Sequence, residues 1–383
     1  MAPGPDCDTP HPTHPFTEQD RLSWLRLIRS RRVGPVTFHR LLAEHGDAQA
    51  ALAALPDVAR AAGVNDYAAC PVEVALHEMR AARAAGARMV CLGEAAYPAH
   101  LAGLSDAPPV LWLRGDAALL ARPMVALVGA RNASSLGIRM ARRLAGALGE
   151  AGFIVVSGLA RGIDGEAHSA ALGTGTVAVM AGGVDVIYPV ENGGLAARIA
   201  AEGVLLSEQP MGTEPQARHF PLRNRIVSGL ARAVVVVEAA ARSGSLITAK
   251  EAADQGREVL AVPGHPFDAR AAGCNQLIRE GATLVRSAED VIEALGRVPT
   301  PAARRHAALP DGVLPGPAPA PRPLAEIAAL HRKILERLSP SPVAEDQLIR
   351  DLAVPAHEVA PQLLTLELEG QVLRQPGGLI CRA

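Results

Sequence analysis

The strongest constraint on the fold is a series of nine short apolar runs between residues 88 and 285. Segments of helix length lie between most of these runs, such as residues 135–151 and 245–255. Apolar strands that alternate with helices are typical of a mostly parallel sheet that is covered on both faces. The predicted strands are residues 89–92, 110–113, 125–128, 153–156, 176–180, 204–206, 233–237, 258–262 and 283–285. The sequence therefore predicts an α/β fold class.

A helical pattern precedes these strands. Residues 18–55 read as short helices that break at the sequence RRVGP, where Val33, Gly34 and Pro35 favour a tight turn. A second break at residues 62–64 extends this helical region to about Gly86. The unit resembles a helix-hairpin-helix, whose turn can offer backbone amides to a phosphate, and an ordinary helical packing module is the alternative.

The pattern changes again after the last strand. Pro and Ala dominate residues 298–323 without any periodicity, as in a semi-extended linker. Amphipathic segments at 324–338, 344–352 and 357–369 follow, and then short strands at 371–374 and 378–382. This is the element order of a winged helix. Its expected recognition helix carries Glu358, Glu367 and Glu369 but no Arg or Lys, which favours a protein contact over duplex DNA.

These patterns predict an extended Rossmann-like, mostly parallel core with a small N-terminal all-α domain and a C-terminal winged-helix domain. The predicted segments are a disordered tail at 1–17, a helix-hairpin-helix or SAM-like domain at 18–87, the Rossmann-like core at 88–297, a Pro- and Ala-rich linker at 298–323 and the winged helix at 324–383.

Charge and cysteine content bear on the kind of ligand site and on the cellular compartment. The formal net charge is -1, so a nucleic-acid site would depend on local clusters of Arg and not on a global basic field. The five cysteines form no CxxC pair, which argues against a disulfide framework or a zinc module and fits a reducing compartment. The N-terminus lacks the apolar region of a signal peptide, and no run is long enough to span a membrane. We expect a cytoplasmic protein that does not contact a membrane.

Unusual residues cluster where the predicted strands end. Gly129 follows one strand, Ser157 and Gly158 follow the next, and Gly244 follows a third after a short loop. Because the carboxyl ends of parallel strands share one edge of the sheet, these segments should form a single site. Glycine lets the backbone approach a ligand closely, and the arginines nearby offer planar donor groups to phosphate. Those arginines are Arg131, Arg161, Arg223, Arg225 and Arg242.

A dinucleotide cofactor is the main alternative ligand. The sequence VGARNASSLG resembles a Gly-rich turn, but the GxGxxG pattern is absent. Ser157 and Gly158 stand where an acidic partner for the ribose would be expected. Lys250 follows Thr248 without the order of a phosphate-binding Walker motif. We therefore predict no cofactor.

The residues that could take part in catalysis can also be explained by structural roles. Asp164 suits a helix start, and His168 can cap or pack. Glu208 and Glu238 could serve as a general acid and base, or they could orient neighbouring arginines. We predict no catalytic residue, no bound metal and no enzyme activity. A nucleotide-processing enzyme on the same fold is the alternative.

Ordered motifs then identify a family. The sequences VALVGAR, IVVSGLARGIDGEAH, AGGVDVIYP, LLSEQP, FPLRNRIVSGLA, VVVVEA, SGSLITA, AVPG and GCNQL closely resemble the DNA processing protein A family (DprA/Smf). The resemblance extends in unbroken order from about Tyr97 to Gly296. It implies binding and protection of single-stranded DNA during natural transformation and recombination. It also implies loading of a RecA-type recombinase and a homodimer formed through the core.

The resemblance also implies a set of DNA-binding residues. On the matching positions, with Lys250 added, these are Gly129, Arg131, Ser157, Gly158, Arg161, Arg223, Arg225, Arg242, Ser243, Gly244 and Lys250. Phe220 is the one aromatic residue near the RNR sequence, so base stacking is expected to be minor and sequence preference weak.

Overall fold

The structure is a computed structural model. It describes residues 16–298, 324–338, 343–352, 354, 359, 362–363, 365–367, 371–375 and 379–382. Residues 1–15 of the predicted tail, residues 299–323 of the linker and most of the expected recognition helix lie outside the described residues. The chain divides into two compact units, residues 1–303 and 304–383, and each is described by itself.

The first unit is built around a nine-stranded sheet. Its strands are β1 (Arg88–Cys91), β2 (Val110–Gly115), β3 (Met124–Gly129), β4 (Ile154–Ser157), β5 (Thr176–Val179), β6 (Val204–Ser207), β7 (Ala233–Glu238), β8 (Glu258–Ala261) and β9 (Thr283–Leu284). They lie in the order β1-β2-β6-β5-β4-β3-β7-β8-β9. The seven strands from β6 to β9 are parallel. Strand β2 pairs antiparallel with β6, and β1 pairs antiparallel with β2. The predicted mostly parallel sheet is confirmed, with strand ends shifted by at most two residues.

Helices cover both faces of this sheet. Those of the core are α5 (Ala99–Ala102), α6 (Ser135–Glu150), α7 (Ile163–Ala171), α8 (Gly193–Glu202), α9 (His219–Leu230), α10 (Ser245–Asp254), α11 (Ala272–Arg279) and α12 (Ala288–Leu295). Successive residues of a strand point to opposite faces. Val125 and Leu127 of β3 therefore pack with α6, α7 and α12, whereas Ala126 and Val128 pack with α9 and α10. This two-sided burial explains why the strands lack polar alternation.

The N-terminal helices are α1 (Glu18–Arg29), α2 (Pro35–His45), α3 (Ala48–Ala61) and α4 (Val72–Ala84). Helix α1 starts at a capping box between Thr17 and Asp20, and α2 starts at Pro35 after the predicted break. Their apolar side chains, including Leu25 and Phe38, belong to the same buried cluster as β1 and β2.

The second unit has four of the five elements predicted for a winged helix, together with a short strand, β10 (Val343–Ala344), that was not predicted; the third predicted helix, 357–369, lies mostly outside the described residues. The described elements are α13 (Leu324–Arg337), β10, α14 (Glu345–Leu352), β11 (Val372–Gln375) and β12 (Leu379–Arg382). The strands form a small antiparallel sheet in the order β10-β12-β11. Ile334, Leu348, Leu363 and Ile380 share its buried core.

Candidate nucleic-acid interface

A cavity of about 860 Å³ lies at the carboxyl ends of β3, β4 and β7. Its walls come from the loops that follow these strands and from the first turns of α9 and α10. In an open parallel sheet this edge is the usual place for a ligand. A volume of this size is within the range of pockets that bind small ligands.

The cavity brings together seven of the eleven residues predicted for the site. Its lining includes Gly129, Arg131, Gly158, Arg223, Arg242, Ser243 and Gly244. These residues come from segments more than a hundred positions apart, and the sheet order places them side by side. Arg270, from the loop after β8, also lines the cavity and was not predicted from the sequence.

Three glycines allow this close assembly. A Cβ atom at Gly129 would lie 2.6 Å from Cγ1 of Ile163, and a Cβ at Gly158 would lie 1.8 Å from Nη1 of Arg223. Gly162 has φ of +73°, in a region that L side chains rarely adopt. These positions need glycine because neighbouring groups occupy the space of a side chain.

The guanidinium of Arg223 lies directly over Gly158. Arg223 is 6% exposed, and its Nη1 donates to the carbonyl of Val179 at 2.7 Å. Burial lowers the pKa of Arg223, and the charge of Asp164 opposes this effect. The pKa of Asp164 is raised by burial, and the charge of Arg223 and nearby backbone amides oppose that rise. Arg223 is therefore a buried residue of the cavity wall, held by the carbonyl of Val179.

Asp164 and His168 organise the loop between β4 and α7. The Asp164 carboxylate accepts from the amides of Gly158 and Ala160 at 3.2 and 3.3 Å. Nε2 of His168 accepts from the amide of Leu159 at 3.3 Å. Leu159 is fully buried with φ of +57°, so these bonds hold a strained residue in place. Burial lowers the pKa of His168 from 6.5 to about 3. Both residues act as structural supports, which agrees with the structural interpretation of the sequence.

Glu238 is the last residue of β7, and its carboxylate reaches the start of α6, the first helix after β3. Its carboxylate accepts from the amide of Ser134 at 2.9 Å and from the Ser134 hydroxyl. A Cβ atom at Gly137 would lie 2.6 Å from this carboxylate. A helix start of this kind would hold the pyrophosphate of a dinucleotide in a Rossmann fold. Here an internal negative charge occupies that position.

Arg225 lies outside the cavity. It is 7% exposed, forms an ion pair with Glu208 and donates from Nη1 to the carbonyl of Asp106 at 2.8 Å. Burial raises the pKa of Glu208, and Arg225 opposes this rise. Arg29 from α1 donates to the carbonyl of Glu208 at 3.2 Å. Arg225 and Glu208 therefore join α9 to β6 and to the N-terminal helices, and neither reaches the predicted site.

Three other predicted residues also lie away from the main cavity. Ser157 is fully buried, and its hydroxyl donates to the carbonyl of Leu127 at 2.6 Å. Lys250 lines a separate cavity of about 610 Å³ between α10 and α11. Arg161 lines a small adjoining cavity and lies 3.6 Å from Glu191 in an exposed ion pair.

Sequence reasoning named Phe220 but missed Tyr188, which lies beside it. The guanidinium carbon of Arg131 lies 5.0 Å from the ring centre of Phe220, and the ring of Tyr188 lies 5.9 Å from that of Phe220. Tyr188 is 48% exposed and follows β5 in the chain. The sequence AGGVDVIYP carried the only available signal, a Tyr beyond the end of a predicted strand. Stacking on a base is therefore within reach of this site.

No group of His, Cys, Asp and Glu in the described ranges is arranged to hold a metal ion. No described helix is both long enough and apolar enough to cross a membrane.

Comparisons with known proteins identify the family. The family model for DNA recombination-mediator protein A matches residues 88–296, and models for a DprA-like N-terminal HHH domain and a DprA winged helix domain match residues 18–81 and 318–378. Protein Smf of Synechocystis sp. is 38% identical over 304 residues, which are 73% of this chain and 76% of that protein.

Two solved structures share this fold. The X-ray structure of DNA processing protein A from Streptococcus pneumoniae has a TM-score of 0.60 and 34% identity, and the match covers 73% of this chain and 98% of that one. DNA processing protein A from Helicobacter pylori, described for its unique single-stranded DNA binding mode, has a TM-score of 0.51 and 29% identity over 55% of this chain and 95% of that one. The chain therefore belongs to the DNA recombination-mediator protein A family, the DprA/Smf family.

Proposed function

We propose that this protein binds single-stranded DNA in the cavity at the carboxyl edge of the sheet. The observation that carries the proposal is the convergence of Arg131, Arg223, Arg242 and Arg270 on one glycine-lined cavity. Arginine suits phosphate recognition because its planar donors fit phosphate oxygens, and glycine loops let a backbone approach closely. The Helicobacter pylori relative, whose described property is single-stranded DNA binding, supports the same ligand class.

The shape of the site favours a single strand over a duplex. The cavity is formed by short loops along one sheet edge, which a flexible backbone can follow. A duplex is stiff, with a persistence length of about 150 base pairs, and cannot bend into such a concave site without a deformation cost. Phe220 and Tyr188 offer aromatic surfaces that only an unpaired base can reach.

We further propose that the bound strand is protected and handed to a RecA-type recombinase in natural transformation and recombination. The family's role as a recombination mediator supports this step. We propose a homodimer formed through the core, where β9, one of the two edge strands of the sheet, exposes both of its side chains. Cys70, Cys91 and Cys274 are buried free thiols, which suits a reducing cytoplasm.

The alternative is a nucleotide-processing enzyme, and both of its candidate catalytic carboxylates are engaged in contacts within the protein. Glu238 is engaged at the start of α6, and Glu208 is held by Arg225. A general acid or base must reach the substrate proton. Both carboxylates instead bond to neighbouring groups of the protein. We propose a binding protein without catalytic activity.

The test is a competition experiment by fluorescence anisotropy. A labelled oligothymidylate is bound to the protein and challenged with unlabelled single strand or with a duplex of equal length. Single strand should displace the probe at much lower concentration than duplex. Equal competition by the duplex, or no binding of the labelled strand, would contradict the proposal.

A further inference from the structure

The loop after β8, residues 264–271, is well ordered although it lies at the surface. Asn275 fixes Gly264, the first residue of the loop. The Asn275 side chain accepts from the amide of Gly264 at 3.1 Å and donates to the carbonyl of Gly264 at 3.0 Å. Within the loop, the amide of Asp268 donates to the carbonyl of His265 at 2.9 Å. The guanidinium of Arg270 donates to both carboxylate oxygens of Asp268, at 3.1 and 3.0 Å. The loop therefore has a defined conformation.

This ordered loop exposes a large aromatic side chain. Phe267 is 93% exposed, more than any other large apolar residue among those the structure describes. Its amide donates to Nδ1 of His265 at 3.3 Å, so the backbone is held while the ring stays in solvent. Burial of such a ring would be favourable, and its exposure on a fixed loop indicates a surface that a ligand covers.

The loop lies in line with the proposed DNA site. The sheet order β5-β4-β3-β7-β8 places the Tyr188 loop at one end of the row and the Phe267 loop at the other. Arg131 and Arg242 lie between them, and Arg270 of the Phe267 loop lines the same cavity. Four strand spacings of ~4.8 Å separate the ends of this row, about 19 Å in all. A stacked single strand, with one phosphate per ~3.4 Å, would place about six nucleotides on it.

We propose that the loop of residues 264–271 is the far end of the single-strand track, where Phe267 stacks on one base and Arg270 binds a phosphate. This inference rests on the proposed function. The bonds to Asp268 use Nε and Nη2 of Arg270, which leaves Nη1 for the phosphate. The Asp268 carboxylate keeps the guanidinium in place, and it also reduces the local positive charge. The aromatic ring therefore supplies most of the affinity at this end.

The test compares strand lengths. Anisotropy with oligothymidylates of two to ten nucleotides should show affinity that rises to about six nucleotides, because longer strands reach the Phe267 loop. Phe267→Ala should weaken binding of the longer strands by about 5- to 150-fold, the range that stacking of one base gives. It should leave binding of a dinucleotide or trinucleotide unchanged, because these short strands occupy the central cavity. Arg131→Ala should weaken binding at every length.

Further variants separate stacking from other roles. Phe267→Tyr should bind as the native protein does, and Phe267→Leu should lose affinity because it is apolar but cannot stack. Val74→Ala, which shortens another exposed apolar side chain (53%), is the matched control. Native affinity for long strands in Phe267→Ala would overturn the inference, and so would a changed oligomeric state in sedimentation without DNA. If the native protein bound no strand at any length, the proposed function itself would fail.

Discussion

The contact between Gly158 and Arg223 gives the sharpest prediction about how the site is built. In Gly158→Ala the new Cβ would lie 1.8, 2.2 and 2.4 Å from Nη1, Cζ and Nη2 of Arg223. Arg223 would have to move, although it is 6% exposed and bonded to the carbonyl of Val179 at 2.7 Å. Loss of a hydrogen bond from a charged donor costs about 1.5–3 kcal/mol, so the free energy of unfolding should fall by about that amount.

The matched control is Gly146→Ala in α6. A Cβ atom there meets nothing within 4 Å. Alanine favours a helix interior by about 0.5–1 kcal/mol, so this variant should be slightly more stable than the native protein. Urea unfolding followed by circular dichroism measures both changes, and anisotropy measures binding of a single strand. Gly158→Ala should bind more weakly, whereas Gly146→Ala should bind normally. Native stability and affinity in Gly158→Ala would refute the reasoning that Gly158 is needed to seat Arg223.

The remaining predictions concern the supporting residues. His168 has a pKa of about 3 in the folded protein and 6.5 when unfolded, so stability present above pH 6.5 is lost as the pH falls toward 3. Between pH 7 and pH 5 this loss is about 2 kcal/mol, and urea unfolding of His168→Gln should show a pH dependence smaller by that amount. Arg225→Ala should lower the free energy of unfolding by about 3–5 kcal/mol, because Glu208 stays buried without its partner, and the salt dependence of DNA binding should not change. NAD should not bind, because the carboxylate of Glu238 occupies the start of α6, and a saturable stoichiometric signal in calorimetry would contradict this.

The sequence was sufficient to predict the sheet and the edge at which the cavity lies. Buried parallel strands are continuous apolar runs, and their ends are marked by residues such as Gly129 and Gly158. Once the strands are known, the carboxyl edge follows from the parallel arrangement. The sequence-based prediction could therefore gather Arg131 and Arg242 into one site although they are far apart in the chain.

The residues that do not reach the cavity show what the sequence left open. Arg223 and Arg225 are two positions apart on α9, and residues at that spacing do not share a helix face. Thr248 lines the cavity and Lys250, two positions later on α10, does not, for the same reason. The helix predicted at residues 245–255 already permitted this argument for Lys250, but the family motif was applied to every position without regard to helix faces. The aromatic neighbour of Phe220 required the sheet order, which no local pattern determines.

In the proposed function, Arg131 contacts the phosphate backbone of a single strand. Arg131 is exposed at the cavity, so Arg131→Ala should leave the fold intact in circular dichroism. Arg198→Ala, in which an equally long exposed side chain on α8 is shortened, is the control. Anisotropy at several salt concentrations gives the logarithmic salt slope of the binding constant. The magnitude of the slope should fall by about 0.7 in Arg131→Ala, the value for one phosphate of a single strand, and stay unchanged in Arg198→Ala. A folded Arg131→Ala variant with native affinity and native salt slope would contradict the account.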